Sequence, residues 1–244
     1  GGVITLEKNY TYSASDSSGL RMGIDVPNTV TKIQGNGELI IIDGSNLARM
    51  FNIASGHTIV ISGITFSNGY ATEENGGSIN SLGTLTIENC NFYNNTATYN
   101  SQYDRGGRGG AVYLTQCDHG NKNTTFKNVY FKDNVAGTNG GAIDWHEGAS
   151  NGNILNSVFE NNTAYANGGA VYWRGHHGEI KDSNFTNNTA KGLRNGTYGN
   201  VGGVVGYAQA NISNCDNHGK VSFTTPTDPS AAGTRAAAGG VIGC

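Results

Sequence analysis

Residues able to do chemistry on a surface gather in one stretch of this chain. Asp144-Trp145-His146-Glu147 and, one repeat later, Tyr172-Trp173-Arg174 with His176 and His177 hold both tryptophans and three of the six histidines. Aromatic faces suit sugar planes, and carboxylate, imidazole and guanidinium groups suit hydroxyls or uronates, so the group reads as a carbohydrate-binding face. The same residue types can instead fill a wide corner, with the tryptophans packed under a loop. A glycosidase needs two carboxylates across the scissile bond. A lyase needs a base plus a cation that neutralises a uronate. Asp144, Glu147, Arg174 and His176 supply those types, and the Asp104-Arg105-Gly106-Gly107-Arg108 loop could add cations or be a solvated insertion. No Asp-Asp pair or hydrolase signature accompanies them. Catalysis, as a polysaccharide lyase or glycoside hydrolase, is therefore the alternative reading, and no residue is assigned as catalytic.

What must position these groups is a repeat. Phe66-Ser-Asn-Gly-Tyr-Ala, Phe92-Tyr-Asn-Asn-Thr-Ala, Phe131-Lys-Asp-Asn-Val-Ala, Phe159-Glu-Asn-Asn-Thr-Ala and Phe185-Thr-Asn-Asn-Thr-Ala are each followed by a Gly-Gly pair. Those pairs begin at Gly76, Gly109, Gly140, Gly168, Gly202 and Gly239, at intervals of 33, 31, 28, 34 and 37 residues. A period of that size signals a solenoid. Short β-branched runs such as Ile59-Val60-Ile61 and Leu85-Thr86-Ile87, without helical periodicity, make it an all-β one. The expected fold is a right-handed parallel β-helix over residues 1–244, a single domain of about eight coils stacked at about 4.8 Å, with no significant helix.

Thirty-two Asn and 38 Gly suit the bends, where positive φ is needed, and only three Pro interrupt the ladders. Like residues in successive coils should stack: Phe92, Phe131, Phe159 and Phe185 in one row, and Val112, Ile143, Val171, Val205 and Ile242 in another. Alignment on the Gly-Gly pair puts Tyr113, Asp144 and Tyr172 in register. With Val112 and Ile143 inward, that row points out. Residues 98–108, 116–124 and 222–238 lengthen particular coils and should emerge as side loops.

A net charge of −3 with 14% charged residues and no basic stripe argues against nucleic acid as a partner. No apolar run near 20 residues is present, so membrane insertion is not expected. Eight Asn-x-Ser/Thr sequons lie at Asn9, Asn94, Asn123, Asn161, Asn184, Asn187, Asn195 and Asn211. An Asn-rich chain yields several by chance, but Asn94, Asn161 and Asn187 recur at one corner, so N-glycans there would line one edge. Cys90, Cys117, Cys215 and Cys244 lack metal-knuckle spacing. Neighbouring coils can pair them as Cys90–Cys117 and Cys215–Cys244, or leave four buried thiols as small apolar residues. Neither a metal nor a cofactor is expected.

Ile4-Thr5-Leu6, Asn9-Tyr10-Thr11-Tyr12, Ile33-Gln34-Gly35-Asn36-Gly37, Ile42-Asp43-Gly44 and Phe51-Asn52-Ile53 resemble the opening of adhesin-like β-helix proteins of methanogenic archaea. The Phe-x-Asn-Asn-x-Ala and Gly-Gly-Ala-(Ile/Val) pattern resembles polymorphic outer-membrane-protein repeats of bacterial autotransporter adhesins, over about residues 1–200. Residues 201–244, with Gly202-Gly203-Val204-Val205-Gly206-Tyr207, Ile212-Ser213-Asn214-Cys215 and Gly239-Gly240-Val241-Ile242-Gly243-Cys244, resemble GLUG-type repeats of secreted bacterial surface proteins. These resemblances imply a secreted, extracellular protein of a cell surface, adhesive or structural, without cofactor. Its partners would be host or cell-surface glycans, or other copies of itself. The chain opens without Met, as a processed or excised form would, and Gly239-Gly240-Val241-Ile242 repeats Gly1-Gly2-Val3-Ile4. Uncapped ends of that kind invite head-to-tail growth into a fibre or sheath, unless they are cuts in a longer stalk.

Overall fold

A computed structural model describes residues 1–115, 123–146, 151–175, 177–192, 199–202, 211–218 and 236–239. The chain winds as a parallel β-solenoid of about seven turns. Two sheets have eight strands each, one running from Gly2–Leu6 to Asn211–Ser213 and the next from Tyr10–Thr11 to Asp216–His218. A six-stranded sheet runs from Ile24–Asp25 to Val171–Trp173, and a five-stranded one from Tyr70–Ala71 to Thr189–Ala190. Strands within each are parallel and pair with the coil before and after. The sole antiparallel pair among the described residues is Tyr99–Asn100 with Arg105–Gly106, a hairpin formed by the first expected insertion. The only helix among them is the four-residue turn Ser18–Arg21, capped by Ser17 Oγ accepting from the Leu20 N–H.

The repeat residues account for this winding. Phe66, Phe92, Phe131, Phe159 and Phe185 are fully buried and stack at centroid distances of 4.9, 4.8, 4.8 and 4.6 Å, each close to one strand spacing. Val112, Ile143 and Val171 stack beside them as expected; Val205 and Ile242 lie outside the described residues. The first Asn of each corner adopts positive φ, 55° at Asn94, 55° at Asn161 and 54° at Asn187, which turns the chain from one sheet to the next.

The second Asn turns inward and is fully or almost fully buried. Asn95 Nδ2 donates to Asn134 Oδ1 at 2.9 Å, Asn134 to Asn162 at 2.8 Å and Asn162 to Asn188 at 2.9 Å. Each Nδ2 also donates to the carbonyl of a corner Phe in the preceding coil: Phe66, Phe92, Phe131 and Phe159 in turn. A polar ladder thus runs through the core with its groups satisfied, which is what makes it tolerable there.

The Gly-Gly pairs are forced twice over. Gly140 has φ +67°, and a Cβ on it would sit 2.1 Å from the Ile143 carbonyl oxygen. The second glycine meets the next coil instead: a Cβ on Gly141 would lie 2.0 Å from Gly169 O. Backbone therefore approaches backbone at this corner more closely than any side chain allows.

Candidate functional site

The outer face of the six-stranded sheet carries one continuous row. Asp25, Asn52, Asn80, Tyr113, Asp144 and Tyr172 are successive partners in register, each on the middle or end of its strand and opposite the inward Ile and Val row. The structure thus brings Tyr113, Asp144 and Tyr172 together on the outside of the barrel wall. It separates them from the tryptophans. Trp145 and Trp173 alternate with that row, are fully buried and stack at 4.1 Å, so neither ring offers a face to a sugar. That corrects their place in the expected binding face. Gly152 and Gly178 explain how the rings fit, because a Cβ on either would collide with the indole of Trp145 or Trp173, at 1.8 and 2.6 Å respectively. Those two glycines were the sequence signal that the indoles point inward.

Asp144 is fully buried, and among the described residues neither carboxylate oxygen has a hydrogen-bond partner. His146 Nδ1 stands 3.7 Å from Asp144 Oδ1, an ion-pair distance and too long for a hydrogen bond. Arg108 Nη1 donates to the His146 ring, 2.8 Å from Nε2. Burial pushes the Asp144 carboxyl up from its ordinary value, against the pull of His146, Arg108 and Arg174. Tyr113, in the rung below, is raised by burial and then by the Asp144 charge. Arg174 is exposed. Glu147 and His176 lie outside the described residues. Of the four residues named for catalysis, the structure thus describes an enclosed Asp144 and an exposed Arg174.

The cysteine expectation is also corrected. Cys90 is a buried free thiol that donates to Glu88 O and Ile61 O at 3.3 and 3.7 Å, and Cys215 is likewise free, so neither proposed bridge is present. Cys117 and Cys244 lie outside the described residues. Burial pushes the Cys90 thiol up to about 12, which makes it an inert core residue. Among the sequons, Asn9, Asn94, Asn123, Asn184, Asn187 and Asn211 are exposed and Asn161 is half-buried; Asn195 is outside the described residues.

Two features lie at the first coil. Its strands Gly2–Leu6, Tyr10–Thr11 and Ile24–Asp25 end three of the sheets and, among the described residues, pair on one edge only. Val3, Ile4, Tyr10 and Ile24 are exposed there, Val3 by 58%. Beside them, the helix Ser18–Arg21 roofs a cleft of about 750 Å³ whose wall includes Asp25, Arg49, Asn52, Glu74 and Asn80. An adjoining cleft of about 310 Å³ shares Arg49 and Glu74 and adds Arg21 and Arg105. Sequence reasoning missed these residues, since nothing in the repeat marks them. The available signal was that Arg49 occupies the position held by the second glycine in later coils, as the pairing of Phe51 with Ile79 fixes.

Fold and register together define a parallel β-solenoid of near-equivalent coils. The Chlamydia polymorphic membrane protein repeat matches residues 89–115, 128–144 and 156–172, each match running from a corner asparagine to the strand after Gly-Gly. The GLUG motif matches residues 197–222, roughly at the C-terminal end. On this fold the two matches fit the adhesin-like, polymorphic-membrane-protein type of β-helix surface protein that the sequence resembles. No curated protein and no solved structure gives a significant match.

Proposed function

We propose that this protein is an adhesive or structural rod of a cell surface, outside the membrane, that stacks head to tail on further copies of itself. The observation that carries the first half is that three consecutive coils match the polymorphic membrane protein repeat in the register the solenoid uses. Such repeats belong to surface proteins of the outer membrane, and a solenoid presents a long lateral face with few groups buried per residue. The second half draws support from the first coil. Three parallel strands that pair on one side only among the described residues, flanked by exposed Val3, Ile4 and Ile24, are suited to receive one more coil. A contact of that kind does not close on itself, so it propagates as a fibre. N-glycans at Asn94, Asn161 and Asn187 would lie along one edge of such a rod.

Antibody labelling of intact cells, with and without external protease, tests the location. Concentration-dependent light scattering and electron microscopy of purified protein test the stacking. Filaments that disappear in Val3→Lys/Ile4→Lys support it. A monodisperse monomer across the concentration range, or filaments indifferent to that double substitution, overturns it.

A further inference from the structure

The first coil contains a charge that the fold does not explain. Arg49 is only 5% exposed, yet among the described residues no carboxylate comes within ion-pair distance of it. Its Nε and Nη1 donate to the carbonyls of Met22 and Asn75. A buried guanidinium without a counter-ion is costly unless an anion joins it. Desolvation accordingly lowers its pKa, with Glu74 and Asp25 opposing at longer range. Arg21, in the adjoining cleft, buries its Nε without a partner. Arg105 is already paired with Glu73 at 2.9 Å and adds no free charge. On the other side of Arg49, Asn52 and Asn80 line the wider cleft with Oδ1 atoms that accept no hydrogen bond. One anion site therefore adjoins amide groups with hydrogen-bonding capacity to spare, in a cleft open enough for a sugar chain.

We propose that this cleft binds an acidic glycan, with a carboxylate or sulfate on Arg49 and Arg21 and neighbouring hydroxyls on Asn52 and Asn80. It rests on the adhesive reading for the kind of ligand, and it moves glycan recognition away from the Asp144 face to the first coil. Guanidinium matches oxyanions in geometry as well as charge. Glu74, on the shared wall of both clefts, opposes the ligand charge and tunes the affinity.

Calorimetric titration of the purified chain at low salt tests this, with oligogalacturonate, a sulfated oligosaccharide and a neutral oligosaccharide of equal length as probes. At least one acidic probe should bind about tenfold or more tighter than the neutral one, and whichever does names the oxyanion. Added salt should weaken it. Glu74→Gln, at an exposed position, should tighten binding roughly threefold and Arg21→Gln should weaken it by about as much. Arg49→Met should abolish it. Because Arg49 also holds two carbonyls, the Glu74 and Arg21 variants carry the test if that protein does not fold. Equal affinity for acidic and neutral probes, or affinity unmoved by both Glu74→Gln and Arg21→Gln, overturns the proposal. Cell labelling and filament formation are read separately, so failure of the cleft and failure of the surface role are distinguishable.

Discussion

At the scale of single residues, Asp144 shows how an outward position can still be an interior one. It faces away from the apolar core, in register with tyrosines on either side, yet it is fully buried and among the described residues its oxygens have no hydrogen-bond partner. Its carboxyl is raised from the ordinary 3.8 by burial, so the folded state holds its proton more tightly than the unfolded chain does. The sign follows: this contribution favours folding below the ordinary value and is lost as pH rises through the raised one. Asp144→Asn, which keeps the shape and removes the charge, should therefore stabilise the protein at pH 7 by roughly 1–3 kcal/mol, the scale of an unsatisfied buried group. Denaturant titrations at pH 4 and pH 7 check it, since the gain should shrink at the lower pH. An equal effect at both would mean that the charge is compensated. Of this site, the sequence revealed the register of Tyr113, Asp144 and Tyr172 because strand alternation alone decides it. It offered Arg108 only as part of a loop that could add cations; the contact with His146, 38 residues away, has no period to betray it.

At the scale of the element, each corner has its own physical requirement. Phe-x-Asn-Asn was legible because three demands fall on adjacent residues: a ring that stacks, a residue that accepts positive φ, and an amide that bonds to its own kind one coil away. The Gly-Gly corner was legible as a bend but not as a close approach of backbones, which depends on the neighbouring coil. Two substitutions separate these demands. Gly141→Ala puts a methyl group against Gly169 O and should cost about 3 kcal/mol or more. Asn162→Ala removes the acceptor shared by the Asn134 backbone N–H and Nδ2 and the side-chain donor to the Phe131 carbonyl, and should cost about 2–4 kcal/mol. Thermal or denaturant unfolding measures both. An unchanged midpoint for Gly141→Ala would mean that the coils are not as closely stacked as described. Of the two readings of the cysteines, bridge or buried thiol, Cys90 takes the second, because a separation of about one coil says nothing about which way a side chain faces, and Cys90 faces the core.

For the whole molecule, the coils are joined only to their neighbours, so stability is a sum of local interfaces and the tips should open first. Amide exchange should then rise from Phe92–Phe159 outward to the first coil, whose three strands each have a single neighbour. Uniform protection along the rod would point to one cooperative unit. Solenoid class was fully readable from the repeat. The exposure of Val3 and Ile4 was not, since it depends on what neighbours them in space and not on their own identities. The stacked indoles have one more consequence. Trp145 and Trp173 are the only tryptophans of the chain, held 4.1 Å apart and 13° from parallel. Their electronic transitions must couple, so all indole absorption and emission reports on a single dimeric chromophore. Its exciton signal in near-ultraviolet circular dichroism is a built-in optical gauge of whether those two windings are still in register, readable without any label.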